Sequence, residues 1–214
     1  MTPTAVRRSG QVCAATGLAG ALSAAVLLAW PAQVAKGPVR YPFTRDGFLV
    51  AQAFFFVHHW GLMIGVAALA VSGAVGAGRL ARAGGWLALV GLAVLDASEL
   101  LAMHYANHSM DAANKGLMGT AYGVSSTVVG LGMLAAGVGV LRAGRWQGWH
   151  RWIPLAIGVT EFVVVTPGTL AGFTAARLAI GSWMLLFGAL GLALVAESAV
   201  TASPARAKVP ATAG

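Results

Sequence analysis

The stretch WLALVGLAVLDASELLAMHYA, residues 86–106, determines the fold class of this chain. It is about as long as the roughly 20-residue apolar helix that crosses a bilayer, and most of its residues are Gly, Ala, Leu and Val. Two acids, Asp96 and Glu99, interrupt it near the middle. We therefore predict a transmembrane helix here, and its acids mark the first place to look for function.

The composition of the whole chain places it outside the soluble class. Of its 214 residues, 58% are hydrophobic and only 9% are charged, whereas soluble domains carry about 25% charged residues. The net charge of +8 does not indicate nucleic-acid binding, because the Lys and Arg residues lie in short connections and tails, where membrane topology places them. Cys13 is the only cysteine, which excludes an internal disulfide and argues against a cysteine-based metal site.

Six apolar segments predict an all-α, polytopic membrane helix bundle. The predicted transmembrane helices span residues 12–30, 48–76, 86–106, 117–141, 152–166 and 174–196. They form a single transmembrane domain, residues 12–197, between a cytoplasmic N-terminal tail, residues 1–11, and a disordered cytoplasmic tail, residues 198–214. Pro167 and Gly168 are expected to break the chain between the last two helices. The first segment also fits a signal peptide, but its long apolar run favours a retained helix.

The distribution of basic residues predicts that both termini lie in the cytoplasm. With this orientation the inner connections and tails hold nine Lys and Arg residues: Arg7, Arg8, Arg79, Arg82, Arg142, Arg145, Arg151, Arg206 and Lys208. The outer connections and helix ends hold five: Lys36, Arg40, Arg45, Lys115 and Arg177. This excess follows the positive-inside rule. Because Gly, Ala and Arg outnumber Lys and Asn, we expect a GC-rich bacterial genome and a location in the bacterial cytoplasmic membrane.

Acidic and histidine side chains recur at one depth on three of the predicted helices. At a rise of about 1.5 Å per residue, Asp96 lies roughly 15 Å from the inner end of its helix, near the midplane of a ~30 Å hydrocarbon core. Glu99 lies one turn further out. His58 and His59 reach this level on the second helix, and Glu161 reaches it on the fifth. Three of the six acidic residues of the chain thus lie in one layer, which we predict to be the functional site.

Placing an acid in hydrocarbon costs free energy, so the acids of this layer need a structural or functional reason to be there. An ionised Asp at the centre of a transmembrane helix costs about 2.5–3.5 kcal/mol. Asp96 and Glu99 share a helix face that must point into the bundle, and a proton, a cation or a protonated histidine is needed to offset their charges. His58 and His59 are the predicted partners. They either share a proton with the acids or bind, together with Asp96 and Glu99, a metal or other cofactor that the sequence leaves unknown.

Further polar residues lie near the layer. His104 and His108 are four residues apart, but two ligands without a third are weak evidence for a metal site. Arg177 either snorkels to the outer interface or reaches toward Glu161 or Glu99. Hydroxyl groups that could face the acids lie on the fourth helix, at Tyr122, Ser125, Ser126 and Thr127.

Three hypotheses of function remain open. In the first, the protein is a small membrane enzyme that acts on a lipid-soluble substrate, and the layer residues serve as acids, bases or metal ligands. In the second, they form a proton or cation relay in a transporter or accessory subunit, and a six-helix transporter without a clear repeat would need to form a homo-oligomer. In the third, the polar network only holds helices together in a structural or assembly protein. The expected partners are membrane lipids and a lipid-soluble small molecule or an ion.

Overall fold

The computed structural model of the protein describes residues 1–202. Within this part of the chain, six helices are long and apolar enough to cross a membrane. They are α1 Pro3–Ala29, α2 Arg45–Val71, α3 Arg79–His104, α4 Ala112–Ala143, α5 His150–Leu170 and α6 Phe173–Ala202. The predicted all-α six-helix bundle is confirmed, and the chain is a multi-pass membrane protein. The orientation with both termini in the cytoplasm stays a prediction.

Two helices begin several residues before the apolar segments predicted from hydropathy, because polar side chains cap their first turns. α1 begins at Pro3, because the Thr2 hydroxyl accepts the backbone N–H of Ala5 at 3.2 Å, and most of the predicted N-terminal tail is therefore helical. α4 begins directly after Asp111, whose carboxylate accepts the backbone N–H of Asn114 at 2.9 Å. Side-chain caps of this kind satisfy amide groups that have no partner inside the helix.

The ends of two helices also differ from the hydropathy segments. α2 ends at Val71 rather than near residue 76, because the chain turns at Gly73 and Gly76, which have φ values of 83° and 74°. α6 continues to Ala202 and so enters the predicted disordered tail of residues 198–214, whose remainder lies outside the described residues.

The expectation that Pro167 and Gly168 break the chain between the last two helices is wrong, because α5 continues through both residues to Leu170. α5 runs through four consecutive parts: a 3₁₀ turn at His150–Trp152, an α-helix at Ile153–Thr160, a π-helical turn at Glu161–Val165 and an α-helix at Thr166–Leu170. Pro167 lacks a backbone N–H, and in a regular α-helix its ring would clash with the carbonyl four residues earlier. The wider π turn, in which the Thr166 N–H donates to the Glu161 carbonyl, accommodates the proline. The chain turns only at Gly172, with a φ of 110°.

The six helices form a closed ring. Each helix packs on its neighbours in the chain, α6 packs along α1, and α2 also contacts α6. Glycines allow the close approaches: a Cβ on Gly17 of α1 would collide with the backbone of Gly188 on α6, and a Cβ on Gly132 of α4 would collide with Ala88 on α3. Such small-residue contacts are typical of helix packing in membranes, where the hydrophobic effect does not drive helices together.

The two ends of the ring are built differently. At one end, the connection of residues 30–44 folds over the connection of residues 105–111, and the Val39 N–H donates to the His108 carbonyl at 3.0 Å. We call this the capped end. The opposite end, which we call the basic end, comprises the connections of residues 72–78 and 144–149.

Candidate functional site

Glu99 is the centre of a buried polar cluster between three helices. It lies on α3 and is 5% exposed. Its Oε2 accepts a hydrogen bond from Gln52 Nε2 on α2 and another from the Tyr122 hydroxyl on α4, both at 2.8 Å. Gln52 also donates to the Tyr122 oxygen at 3.1 Å. Two donors on the same carboxyl oxygen fix the orientation of the carboxyl group.

His59 faces both acids of α3. Its Nδ1 lies 3.7 Å from Asp96 Oδ1 and 3.9 Å from Glu99 Oε1, and all three side chains are 7% exposed. These separations are ion-pair distances but are too long for hydrogen bonds. Nδ1 of His59 and Oδ1 of Asp96 are both buried and make no hydrogen bond with any described residue. The arrangement therefore places one imidazole nitrogen within 4 Å of two carboxyl oxygens.

Asp96 lies beside a tryptophan that faces outward from the ring. The Asp96 side chain is buried, but the indole of Trp60 lies beside it and is 54% exposed on the outer surface of the ring. The Asp96 carboxyl group therefore lies beside a side chain that faces outward from the ring.

Arg177 joins the cluster from α6, on the side of the capped end. Its guanidinium group interacts electrostatically with Glu99 and with Tyr122, and it lies 5.4 Å from the ring centre of Phe173. Its Nε is buried and makes no hydrogen bond with a described residue. Of the alternatives that the sequence leaves open, the structure places Arg177 near Glu99 rather than near Glu161.

His58 does not face the acids. Its ring points toward α1, where a Cβ on Gly20 would collide with it, and stacks on Phe54 with ring centres 5.7 Å apart. The backbone of Thr16 on α1 lies beside the His58 ring, whose centre is 5.4 Å from that of His59. The sequence does not decide which histidine of the pair faces the acids; in the structure it is His59.

Glu161 lies in a separate pocket of side chains between α4 and α5. It is fully buried, and its Oε1 accepts a hydrogen bond from the Thr166 hydroxyl at 3.3 Å, whereas Oε2 accepts none. Ser126 lies beside the carboxyl group, one helical turn from Tyr122 along α4, a rise of about 6 Å. The structure thus brings three of the five predicted site residues together and gives His58 and Glu161 surroundings of their own.

The most informative residue that the sequence analysis leaves out is Gln52. It is an amide in an apolar helix and lies seven residues before His59, so the two side chains share one face of α2. That spacing is the signal that could have added Gln52 to the site.

The metal hypothesis gains no support from the arrangement. In the part of the chain that the structure describes, no three His, Cys, Asp or Glu side chains form a group that could hold a metal ion. At the capped end, His104 and His108 stack on each other with ring centres 6.3 Å apart. At the basic end, His150 Nδ1 lies 2.9 Å from Glu197 Oε1.

No known protein family, curated protein or solved structure matches this chain. The fold and the buried cluster define a class only: a six-helix, multi-pass membrane protein with an acid–histidine cluster between its helices. Any specific activity has to be argued from the geometry of that cluster.

Proposed function

We propose that the protein takes up and releases protons within the membrane, as a proton-coupled transporter or an accessory subunit of one. The observation that carries this proposal is the position of His59 Nδ1, buried, without a hydrogen bond, and 3.7 Å and 3.9 Å from the carboxyl groups of Asp96 and Glu99. Histidine and carboxyl chains inside membrane segments are the usual means of relaying protons in pumps and transporters.

Each member of the cluster has a separate part in this proposal. Glu99 is held in place by Gln52 and Tyr122, so its Oε1 stays directed at His59. Asp96 offers His59 a second proton acceptor. Arg177 supplies a positive charge on the side of the capped end that stabilises ionised Glu99. The proton then moves between His59 and the two carboxyl groups by small side-chain shifts.

Proton flux into liposomes tests the proposal directly. Purified protein is reconstituted with a pH-sensitive dye inside the vesicles, and a pH gradient is imposed. Because removing a positioned proton-transfer group lowers a rate by about 100-fold or more, Asp96→Asn and Glu99→Gln are expected to lower the flux by that factor. Asp46→Asn is the matched control, since the Asp46 side chain is 89% exposed at the start of α2 and pairs only locally with Arg45.

Membrane insertion and thermal unfolding of every variant are measured alongside the flux, because a misfolded variant would also be inactive. Wild-type flux in both Asp96→Asn and Glu99→Gln would refute the proposal. Equal loss in Asp46→Asn would also refute it, because the effect would then not depend on the buried cluster.

A second candidate function is an enzyme that acts on a lipid-soluble substrate. The specific observation in its favour is the position of Asp96 beside the outward-facing indole of Trp60. A lipophilic molecule that copurifies with the wild-type protein and is chemically altered there, but not in Asp96→Asn, would favour the enzyme. Identical lipid extracts from the two proteins would favour proton exchange.

A further inference from the structure

Arg177 is a partly exposed cation in the second turn of α6, and its hydrogen-bond donors are unused. A guanidinium group carries five N–H donors in one plane. None of the five makes a hydrogen bond with a described residue. Nε is fully buried, whereas the two terminal nitrogens keep accessible surface. The guanidinium group of Arg177 can therefore offer both donors and accessible surface to a ligand.

Other arginines use their donors where they contact the chain. Arg40 Nη1 donates to Asn107 Oδ1 at 3.1 Å, and Arg145 Nη1 donates to the Gly73 carbonyl at 2.8 Å. Both belong to connections at the ends of the ring. Arg177 lies within a membrane-spanning helix, where a polar group has more need of a partner. Its unused donors therefore indicate a binding group rather than one that holds the helices together.

The charged and titratable groups that face Arg177 come from two other helices. Glu99 of α3 and Tyr122 of α4 both interact with it electrostatically, but the hydrogen bonds of Glu99 go to other side chains. The part of α1 that packs along this end of α6, residues 17–29, has no titratable side chain. Glu161 of α5 lies in its own pocket with other partners. Glu99 is thus the acid that balances the charge of Arg177.

We propose that Arg177 binds the carboxylate of a small monovalent organic anion, and that this anion is the species moved with the proton. The planar guanidinium group matches a carboxylate through two parallel hydrogen bonds. A doubly charged anion is disfavoured, because ionised Glu99 and Asp96 would repel it. The Phe173 ring, 5.4 Å from the guanidinium group and packed on Tyr41, favours a ligand whose remainder is apolar.

The coupling to protons rests on the proposed function, because it needs Glu99 to gain and lose a proton. Glu99 faces His59 from α2, Tyr122 from α4 and Arg177 from α6, with Asp96 on its own helix. Ionised Glu99 and a bound carboxylate compete for the charge of Arg177. When His59 or Asp96 passes a proton to Glu99, Arg177 is left to hold the ligand. Protonation and anion binding therefore favour each other, and this linkage is reciprocal.

Equilibrium dialysis of radiolabelled butyrate against the full chain in detergent micelles tests the site. The wild-type protein is expected to bind butyrate saturably. Arg177→Gln should weaken binding about tenfold or more, because charge-assisted hydrogen bonds contribute at least that much to affinity. Arg177→Lys keeps the charge but loses the paired donors, so its affinity should lie between the two. Arg45→Gln is the matched control, since Arg45 is exposed at the start of α2 and pairs with the adjacent Asp46.

The pH dependence of binding separates a ligand site from a structural role. Over a range in which butyrate stays ionised, the wild-type affinity is expected to rise as the pH falls and Glu99 becomes protonated. Glu99→Gln removes the competing charge, so it should bind butyrate tightly and lose most of this pH dependence. Thermal unfolding of every variant is measured alongside, because a misfolded variant would also fail to bind.

Wild-type butyrate affinity in Arg177→Gln would overturn the proposal. If that variant does not fold, an unchanged pH dependence in Glu99→Gln would overturn it instead. So would the absence of saturable butyrate binding, or equally tight binding of inorganic phosphate. Butyrate binding as expected, without proton flux in liposomes, would refute the proton exchange and leave the anion site standing. Proton flux without butyrate binding would refute only the anion site.

Discussion

At the scale of single residues, the structure shows how the membrane interior accommodates the Glu99 carboxyl group. Two neutral donors, Gln52 and Tyr122, reach the same oxygen, which leaves the other oxygen free to face His59. A carboxyl group with two hydrogen bonds is far less costly to bury than one with none. The bonds therefore position Glu99 and also stabilise it.

Asp111 shows how a single acid outside the membrane-spanning helices depends on pH. The pKa of its carboxyl group lies below its ordinary value, mainly because the carboxylate accepts the backbone N–H of Asn114 and also the hydroxyl of Ser109. A lowered folded-state pKa means that the cap stabilises α4 fully above the unfolded value of about 3.9. This contribution is lost as the pH falls through the lower folded value.

We therefore expect the first turn of α4 to open more readily as the pH falls below about 4. The measurement is amide hydrogen exchange at Asn114, corrected for its intrinsic pH dependence. In Asp111→Asn the amide oxygen still caps the helix but does not titrate, so exchange should be independent of pH over this range. If hydrogen exchange at Asn114 had the same pH profile in the wild-type protein and in Asp111→Asn, the conclusion that the Asp111 carboxylate caps α4 would be contradicted.

At the scale of elements, the glycines of α4 have two different roles that depend on their position. Gly132 lies against the backbone of α3, whereas Gly119 faces open space. Both are helical glycines in the same apolar segment, and the sequence alone does not distinguish them.

Alanine substitution at these two glycines is expected to have opposite effects on thermal unfolding. Gly119→Ala should raise the free energy of unfolding by about 0.5–1 kcal/mol, because alanine loses less backbone entropy in a helix than glycine does. Gly132→Ala should lower the unfolding temperature, because its methyl group would collide with Ala88 and force α3 and α4 apart. Equal shifts in both variants would contradict the packing described here.

The sequence predicts the existence of all six helices, because hydropathy and length depend only on the residues inside each segment. It predicts their ends less well. The start of α4 depends on the Asp111 cap, and the apparent break at Pro167 is absorbed by the π turn beginning at Glu161. Both effects come from one or two specific hydrogen bonds, which an average over an apolar window does not contain.

At the scale of the whole molecule, the closed ring determines which polar residues meet. The cluster around Glu99 draws on four helices, and its members are as far apart in the chain as Gln52 and Arg177. Counting helical rise gives the approximate depth of Asp96, His59 and Glu161, but not the rotation of each helix. The contacts between helices set that rotation, and it separates Glu161 from the cluster and turns His58 toward α1.

Nitrogen-15 NMR of the five histidines in lipid bilayers, followed over a pH titration, tests the central claim most directly. The His59 signal is assigned by its loss in His59→Gln. If His59 shares an exchangeable proton with the two acids, its titration midpoint should move in Asp96→Asn and in Glu99→Gln, and should stay unchanged in Asp46→Asn. A His59 signal that does not titrate, or one that titrates identically in all of these proteins, would contradict the proposed proton exchange.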